Sequence, residues 1–181
     1  MTGVVQAPIQ TPTVAMERLD SDAFEVFYSR TARALHSYLC RIAGVAGADD
    51  LLQESYIRLL GAPSMEESAR KAYLYRTATN LAADQWREQA RRQSWWRRAF
   101  RREEAFAENP DLRADMSALF GRLGVQERAL LWLAYVEGAD HREIGEILNV
   151  KEKSVRVLLF RARRRMEQLL TEHGFRREVE R

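Results

Sequence analysis

The chain has 181 residues, of which 46% are hydrophobic and 30% are charged, a balance that excludes a disordered chain and predicts a soluble globular protein. No apolar run approaches the ~20 residues that a membrane-spanning helix needs, and the N-terminus lacks the basic start and apolar stretch of a signal peptide. The single cysteine, Cys40, excludes an internal disulfide and a multi-cysteine zinc site, so we expect a cytoplasmic protein.

Charge is distributed unevenly along the chain. The formal net charge is +3, but residues 1–83 carry −1, residues 84–102 carry +5, residues 103–140 carry −5 and residues 141–181 carry +4. Two basic blocks separated by an acidic one are typical of a protein that contacts a polyanion at two places. Arginine supplies 26 of the 29 basic residues, which favours nucleic acid because its guanidinium matches phosphates and guanine edges. A general bias toward arginine, with solvated side chains, is the alternative interpretation.

Residues 20–92 are predicted to form a helical domain. Residues 1–19, with two prolines and several Thr and Gln, are predicted to be a flexible tail. Apolar side chains then recur every three or four residues in three stretches, which predicts three helices. Their predicted bounds are residues 22–43, 49–60 and 69–92, with a polar loop at residues 61–69.

A charged linker is predicted at residues 93–111. It opens with Trp95-Trp96-Arg97-Arg98 and becomes acidic after Glu103. Residues 112–175 are predicted to form a second helical domain, followed by a tail at residues 176–181. Alternating β-branched runs and hairpin turns are absent. The predicted fold class is therefore all-α, with two small helical domains joined by a charged linker.

A helix-turn-helix is predicted within the second domain. Asp140 and Glu143 have the spacing of a capping box at the start of a short helix, and Asn149 tolerates the left-handed backbone of a tight turn. A longer helix with a basic outer face follows from about Glu152. Its predicted contacts to duplex DNA are Lys153, Ser154, Arg156, Val157, Arg161, Arg163 and Arg164. The alternative is an ordinary helical hairpin whose basic face is solvated.

The second predicted helix has an acidic outer side. Opposite its apolar residues it carries Asp50, Gln53, Glu54 and Ile57. An acidic face with one isoleucine in its middle is typical of a docking surface for a basic protein helix. A solvated face with a stray isoleucine is the alternative.

The third predicted helix interleaves aromatic and basic side chains. This pattern is typical of single-stranded DNA binding, because bases stack on aromatic faces and arginine meets the backbone. The alternative is that the aromatic residues, which include Tyr75 and Trp86, belong to the core. The candidate contacts to DNA are Tyr73, Asn80, Asp84, Arg87 and Arg91.

The sequence contains no recognisable catalytic constellation. His36, His141 and His173 are scattered and cannot be paired into a metal site by spacing, and glycine motifs for phosphates or dinucleotides are absent. We expect no catalytic residues, no metal and no cofactor, and therefore no enzymatic activity.

In their order and spacing, these segments resemble the extracytoplasmic-function sigma factors of bacterial RNA polymerase. The resemblance covers residues 20–92 and 112–170. In the first domain it rests on residues 49–59 and on Tyr73-Leu74-Tyr75-Arg76, Asn80-Leu81-Ala82, Asp84 and Arg87. In the second it rests on Gln126-Glu127-Arg128, Glu137-Gly138, Glu143-Ile144, Ile147-Leu148, Ser154-Val155 and Arg161-Ala162-Arg163.

This resemblance implies a promoter-specificity subunit that assists promoter melting. Core RNA polymerase would dock on the acidic face of the second helix. The non-template minus-10 strand would meet the loop at residues 61–69 and the third helix, and the minus-35 duplex would meet the helix-turn-helix. The resemblance also implies an anti-sigma factor as a partner, which could hold the protein at the membrane, and no small-molecule substrate.

The sequence departs from the family where the last helix begins. Ser154-Val155-Arg156-Val157-Leu158 is apolar at two positions that are commonly polar in the family. The apolar Val157, Leu158 and Phe160 in this helix leave open a sigma-like decoy that sequesters an anti-sigma factor without binding DNA. A helix-turn-helix repressor that acts without polymerase is a further alternative, but it leaves the first domain unexplained.

Overall fold

The computed structural model describes residues 21–99 and 112–175, and every regular element within them is an α-helix. The predicted all-α class is confirmed. Within these ranges, none of the helices combines the length and the hydrophobicity of a membrane-spanning segment. The first unit contains α1 (Ser21–Ile42), α2 (Val45–Leu60) and α3 (Glu67–Ala99). The second contains α4 (Leu112–Gly121), α5 (Val125–Tyr135), α6 (His141–Leu148) and α7 (Glu152–Glu172).

The helices of the first unit bury the apolar stripes that periodicity predicts. The Tyr38 and Thr79 hydroxyls share a hydrogen bond of 2.6 Å, so the polar end of this buried ring is satisfied. Burial of one leucine side chain contributes about 1.5–3 kcal/mol to the free energy of folding. This core therefore holds α2 and α3 in place against α1. Its largest fully buried side chains are Leu35, Tyr38, Leu39, Ile42, Leu74 and Tyr75.

The helix bounds differ from the predicted ones around α2 and α3. α2 begins at Val45 rather than at residue 49, because Gly44, with φ of 98°, turns the chain directly before it. α3 begins at Glu67, which shortens the loop, and continues to Ala99, which places the first part of the predicted linker in a helix. Residues 93–99 contain neither proline nor glycine, so nothing in them ends the helix. The rest of the predicted linker lies outside the described residues.

The second unit is built around α7. Val155, Leu159, Ala162 and Leu169 form its buried side. This side packs against α4, α5 and α6, which contribute Leu119, Leu130, Leu133, Ile144 and Ile147. The opposite side of α7 is therefore free to carry polar and charged residues.

The two helical units share an interface. α1 and α3 pack against α5, and α3 also packs against α6. Leu133 and Ile147 of the second unit belong to the same cluster of buried apolar side chains as Leu39 and Leu74 of the first. The helix-turn-helix is therefore docked on the first unit rather than held away from it.

Gly145 of α6 lies where a side chain has no room. A Cβ at this position would lie 2.9 Å from the Val150 carbonyl oxygen and 3.4 Å from the Glu152 backbone nitrogen. Backbone atoms cannot swing aside, so we expect Gly145→Ala to lower the free energy of unfolding by about 1–3 kcal/mol. Urea unfolding followed by circular dichroism measures this loss.

Gly121→Ala is the matched control for this substitution. Nothing lies within 4 Å of a Cβ built at Gly121. The control should therefore be neutral or stabilising, because alanine restricts the unfolded chain. Equal stability of the two variants would contradict a sterically closed turn at Gly145.

Candidate nucleic-acid interface

The turn between α6 and α7 is shaped by local hydrogen bonds. Asp140 accepts from the Glu143 N–H at 2.8 Å, and the Glu143 carboxylate accepts from the Asp140 N–H at 3.1 Å, so the predicted capping box is confirmed. Asn149 ends α6 in the predicted left-handed conformation, with φ of 52° and ψ of 47°. The Val150 N–H then donates to the Gly145 carbonyl at 3.0 Å. This geometry is a helix-turn-helix.

α7 presents a basic face to solvent. Lys153 and Arg156 lie at its N-terminal end, which is the end that a helix-turn-helix inserts into the major groove. Arg164 lies two turns later and pairs with Glu167 at 3.6 Å. Of the predicted contacts, Ser154 is half-buried and the exposed ones are Lys153, Arg156, Val157, Arg161, Arg163 and Arg164.

Two large apolar side chains interrupt this basic face. Val157 is 49% exposed and Phe160 is 56% exposed. Phe160 is absent from the predicted contacts, although its position three residues after Val157 places it on the same side of the helix. An exposed valine suits a thymine methyl group, and an exposed apolar pair also suits a protein partner.

The candidate contacts on α3 lie along one strip of the helix. Asn80, Asp84, Arg87 and Arg91 follow at steps of three or four residues and are all exposed. Tyr73 lies on the same strip two turns earlier and is half-buried. The five residues therefore share one side of α3, spread along its length, and the shared side predicted for Asn80, Asp84 and Arg87 is present.

The other aromatic residues of α3 have different surroundings. Tyr75 is 1% exposed and belongs to the core, in agreement with the alternative interpretation. Trp86 is 48% exposed and lies on the side of α3 away from the strip of Asn80. Trp86 continues the row of buried residues Ala78 and Ala82 along α3. The helix has passed the end of the core at this point, so the indole ring is exposed to solvent.

Arginines on and beside this strip are paired with carboxylates of the same helix. Arg87 pairs with Asp84, Arg91 pairs with Glu88, and Arg92 Nε donates to Glu88 Oε1 at 3.0 Å. Hydrogen bonds from Arg91 and Arg92 lower the pKa of the Glu88 carboxyl, which keeps it ionised. Exposed pairs of this kind are weak, so phosphates can replace the carboxylates as partners.

A shallow cleft of about 560 Å³ lies beside the start of α3. Its walls include Met65 and Arg70. Arg70 donates to the Met65 carbonyl at 3.0 Å, and its guanidinium carbon lies 5.4 Å from the centre of the Phe27 ring. The sequence predicts a binding loop here but does not single out Arg70, because its role depends on the distant Phe27.

The outer side of α2 combines acidic and apolar groups. The Glu54 carboxylate is half-exposed and accepts from Arg58 Nε at 2.7 Å. Ile57 is 63% exposed, and Leu60, one turn later, is 42% exposed and enlarges the apolar part. The sequence analysis does not include Leu60. The predicted face is present as one surface, formed by Asp50, Gln53, Glu54 and Ile57.

Among the described residues, no group of three or more His, Cys, Asp or Glu side chains could hold a metal ion. His36 Nε2 lies 3.1 Å from Asp49 Oδ1, and its ring lies 3.7 Å from the Cys40 sulfur. Burial raises the pKa of the Cys40 thiol, which therefore stays protonated and weakly reactive at neutral pH.

Known proteins match the two helical units in the same order. Residues 27–92 match the family model of sigma-70 region 2, and residues 113–166 match that of sigma-70 region 4. The ECF RNA polymerase sigma factor SigE of Mycolicibacterium smegmatis (strain ATCC 700084 / mc(2)155) is 31% identical over 136 residues. The chain belongs to the extracytoplasmic-function sigma factors. The family predicted from the sequence is thus confirmed.

The match to SigE covers 70% of this chain and 53% of SigE, so the chain spans about half the length of that relative. The fold is similar to that of the sigma factor RpoE from Bartonella quintana, in its crystal with the anti-sigma factor NepR. The TM-score is 0.61 and the identity 19%, with 87% of this chain and 98% of that chain covered. In sigma-factor terms, α1–α3 form region 2 and α4–α7 form region 4.

Arg156 and Arg164 are expected to affect DNA binding differently. A bidentate contact to guanine discriminates by about 1–3 kcal/mol, so Arg156→Ala should relax the preference at one base pair. Arg164→Ala should weaken binding to all sequences equally and lower the salt dependence by about one phosphate contact. Selection of a randomised duplex pool by the full chain at two salt concentrations measures both effects. Identical selection profiles for the two variants would contradict this division of roles.

Proposed function

We propose that this chain directs core RNA polymerase to specific promoters and assists promoter melting, without catalysing a reaction itself. One observation carries the proposal: DNA-compatible basic faces on α3 and α7 occur on separate helical units, together with an acidic and apolar face on α2. A repressor would need the face on α7 alone. Membership of the sigma-factor family supports the same function.

Duplex recognition at the minus-35 element is assigned to α7. Lys153 and Arg156 stand at the end that enters the major groove, where arginine and lysine pair with guanine. Val157 adds an apolar contact for a thymine methyl group. The later arginines, Arg161, Arg163 and Arg164, fix the position of the helix on the backbone.

Recognition of the melted minus-10 strand is assigned to α3 and the cleft beside Arg70. Flipping a base out of the duplex costs a few kcal/mol. Stacking of an extruded base on an aromatic side chain returns about 1–3 kcal/mol, and Tyr73 lies on the same strip as Asn80 and Arg87. These terms are of similar size, so local melting becomes favourable once polymerase adds its own contacts.

The remaining partners follow from the surfaces and from the family. The face of Asp50 and Ile57 on α2 is assigned to core polymerase. RpoE, which is similar in fold, is bound to an anti-sigma factor in its crystal, and this supports an anti-sigma factor as a further partner. The chain would act in the cytoplasm, where promoter DNA is, unless a membrane-bound anti-sigma factor holds it at the bilayer. No small-molecule substrate is proposed.

Reconstituted transcription tests the proposal and its docking face together. Core polymerase with the wild-type chain should yield promoter-dependent transcripts. Asp50→Lys with Glu54→Lys should reduce association with core polymerase at least tenfold, because the reversed charges repel a basic surface. Both side chains lie outside the core, so helix content by circular dichroism should be unchanged.

Glu167→Lys with Glu172→Lys is the matched control for this charge reversal. Both residues are exposed near the end of α7, and the change in net charge is the same. Polymerase association of this control should equal that of the wild type. If both double variants bind equally well, the face on α2 does not dock polymerase.

A second candidate function is a decoy that binds an anti-sigma factor and not DNA. The exposed Val157 and Phe160 on α7 favour it, because apolar groups on a recognition helix suit a protein partner. The transcription assay separates the two functions. A chain that binds an anti-sigma factor and yields no promoter-dependent transcript with core polymerase would be a decoy.

Asn80 and Arg87 are expected to act in melting more than in duplex binding. Replacing both by alanine should reduce open-complex formation, measured by permanganate reactivity of the melted region, about tenfold or more. Binding of polymerase to the closed promoter should fall much less, because the contacts of α7 are intact. Equal losses in the two assays would mean that this strip only anchors the DNA backbone.

A further inference from the structure

Arg70 fastens the start of α3 to the loop that precedes it. Its side-chain Nη2 donates to the Met65 carbonyl at 3.0 Å, and its backbone N–H donates to the Glu66 carbonyl at 2.8 Å. Both acceptors belong to the α2–α3 loop, which is residues 61–66. One residue therefore holds two successive carbonyl groups of this loop, one with its side chain and one with its backbone.

The middle of the α2–α3 loop has little backbone structure of its own. At the first end of the loop, the N–H groups of Gly61 and Ala62 donate to carbonyls of α2 at 3.2 and 3.1 Å. Pro63 has no N–H to donate. Within the described part of the chain, residues 63–65 take part in one hydrogen bond, the bond from Arg70 to Met65. The conformation of the middle of the loop therefore depends on the Arg70 side chain.

The ring of Phe27 determines where the Arg70 guanidinium lies. The guanidinium carbon is 5.4 Å from the ring centre, which is within the range of a cation–π interaction. Phe27 is 4% exposed and belongs to the core of the first unit, so its ring is fixed by packing. Arg70 is half-buried beside it. The contact therefore extends the order of the core to the α2–α3 loop.

Arg70 also differs from the arginines of α3 that pair with carboxylates. Glu67 is close in sequence but pairs with Arg30 of α1 at 3.4 Å. Among the residues that the structure describes, Arg70 has no carboxylate partner. Guanidinium has five N–H donors, and the Met65 carbonyl takes one of them. Arg70 can therefore hold the loop without first leaving an ion pair.

We infer that Arg70 is a positioning residue: by bridging the Met65 carbonyl and the Phe27 ring, it holds the α2–α3 loop in the conformation that forms the cleft before nucleic acid binds. A loop that is already ordered loses less conformational freedom on binding, so a nucleotide of the correct shape is favoured more strongly. Arg70 thereby sharpens the choice of the one minus-10 base that the cleft receives. This last consequence alone rests on the proposed function.

Backbone order parameters of the full free chain, measured by ¹⁵N relaxation, test the positioning role. In the wild type, the amides of Ser64, Met65 and Glu66 should lie near the rigid-backbone value of about 0.85. Arg70→Met keeps a long unbranched side chain but removes the donors and the charge. The same amides should then fall below about 0.6. Unchanged order parameters in this variant would overturn the inference.

Lys71→Met is the matched control. Lys71 is the next residue, is exposed, and its Nζ lies 5.8 Å from the centre of the Tyr75 ring. The control therefore removes the same charge and the same kind of contact, but no hydrogen bond to the loop. It should keep the wild-type order parameters, and circular dichroism should show unchanged helix content in both variants. Equal loosening of the loop in both variants would assign the effect to charge alone and reject the role of Arg70.

Open-complex formation with core polymerase measures the consequence for recognition. Promoters that carry each of the four bases at successive non-template positions of the minus-10 element are compared. The wild type should prefer one base at the position held in the cleft, and Arg70→Met should reduce this preference about tenfold, because a misplaced loop no longer orients the base. Preferences at the minus-35 element should be unchanged. Lys71→Met should retain both sets of preferences.

Two other outcomes have distinct meanings. A uniform loss for all four bases, with the salt dependence lowered by about one phosphate contact, would show that Arg70 binds the DNA backbone and does not position the loop. Absence of transcripts with every chain would contradict the proposed function. The order parameters of the free chain would still decide whether Arg70 orders the loop.

Discussion

The position of region 4 beside region 2 depends on two helix ends. A carbonyl group in the last turn of each accepts a hydrogen bond from an arginine of the other region. α1 and α6 both end in carbonyl groups that their own helices cannot satisfy, and an arginine of the other region supplies the donor in each case. Arg76 lies one turn before Asn80 on α3. The helix that carries the proposed minus-10 contacts therefore also carries the contact that fixes region 4 beside it, and a rigid helix links the two.

Features determined by neighbours within four residues were predictable from the sequence. The capping box of Asp140 and Glu143, the left-handed Asn149 and the apolar side of α7 each depend on local spacing, and each is present. The outward faces of α2 and α7 were predictable for the same reason, because a residue opposite a buried stripe must be exposed. Roles on DNA and polymerase depend on partners, and they stay predictions.

Features that depend on distant contacts could not be predicted in this way. Periodicity shows that one side of a helix is buried but not what buries it, so the shared core and the burial of Tyr75 against region 4 were not visible in the sequence. The sequence around Arg128 predicts a solvated side chain, and its burial results from packing of α5 against α1. The position of the Arg70 guanidinium likewise depends on the ring of Phe27, which is distant in sequence. α3 continues past the predicted start of the linker because no proline or glycine there ends the helix.

In the proposed function, the carboxylates on α3 would affect how the chain moves among competing DNA sites. Arg87 and Arg92 must each leave a partner on the same helix before they can reach a phosphate. On that proposal, the attraction of this helix to arbitrary duplex would be weaker than its arginine content suggests, and residence on a random site would be shorter. Since a genome offers about 10⁶–10⁹ competing sites, shorter residence leaves more of the chain available to polymerase.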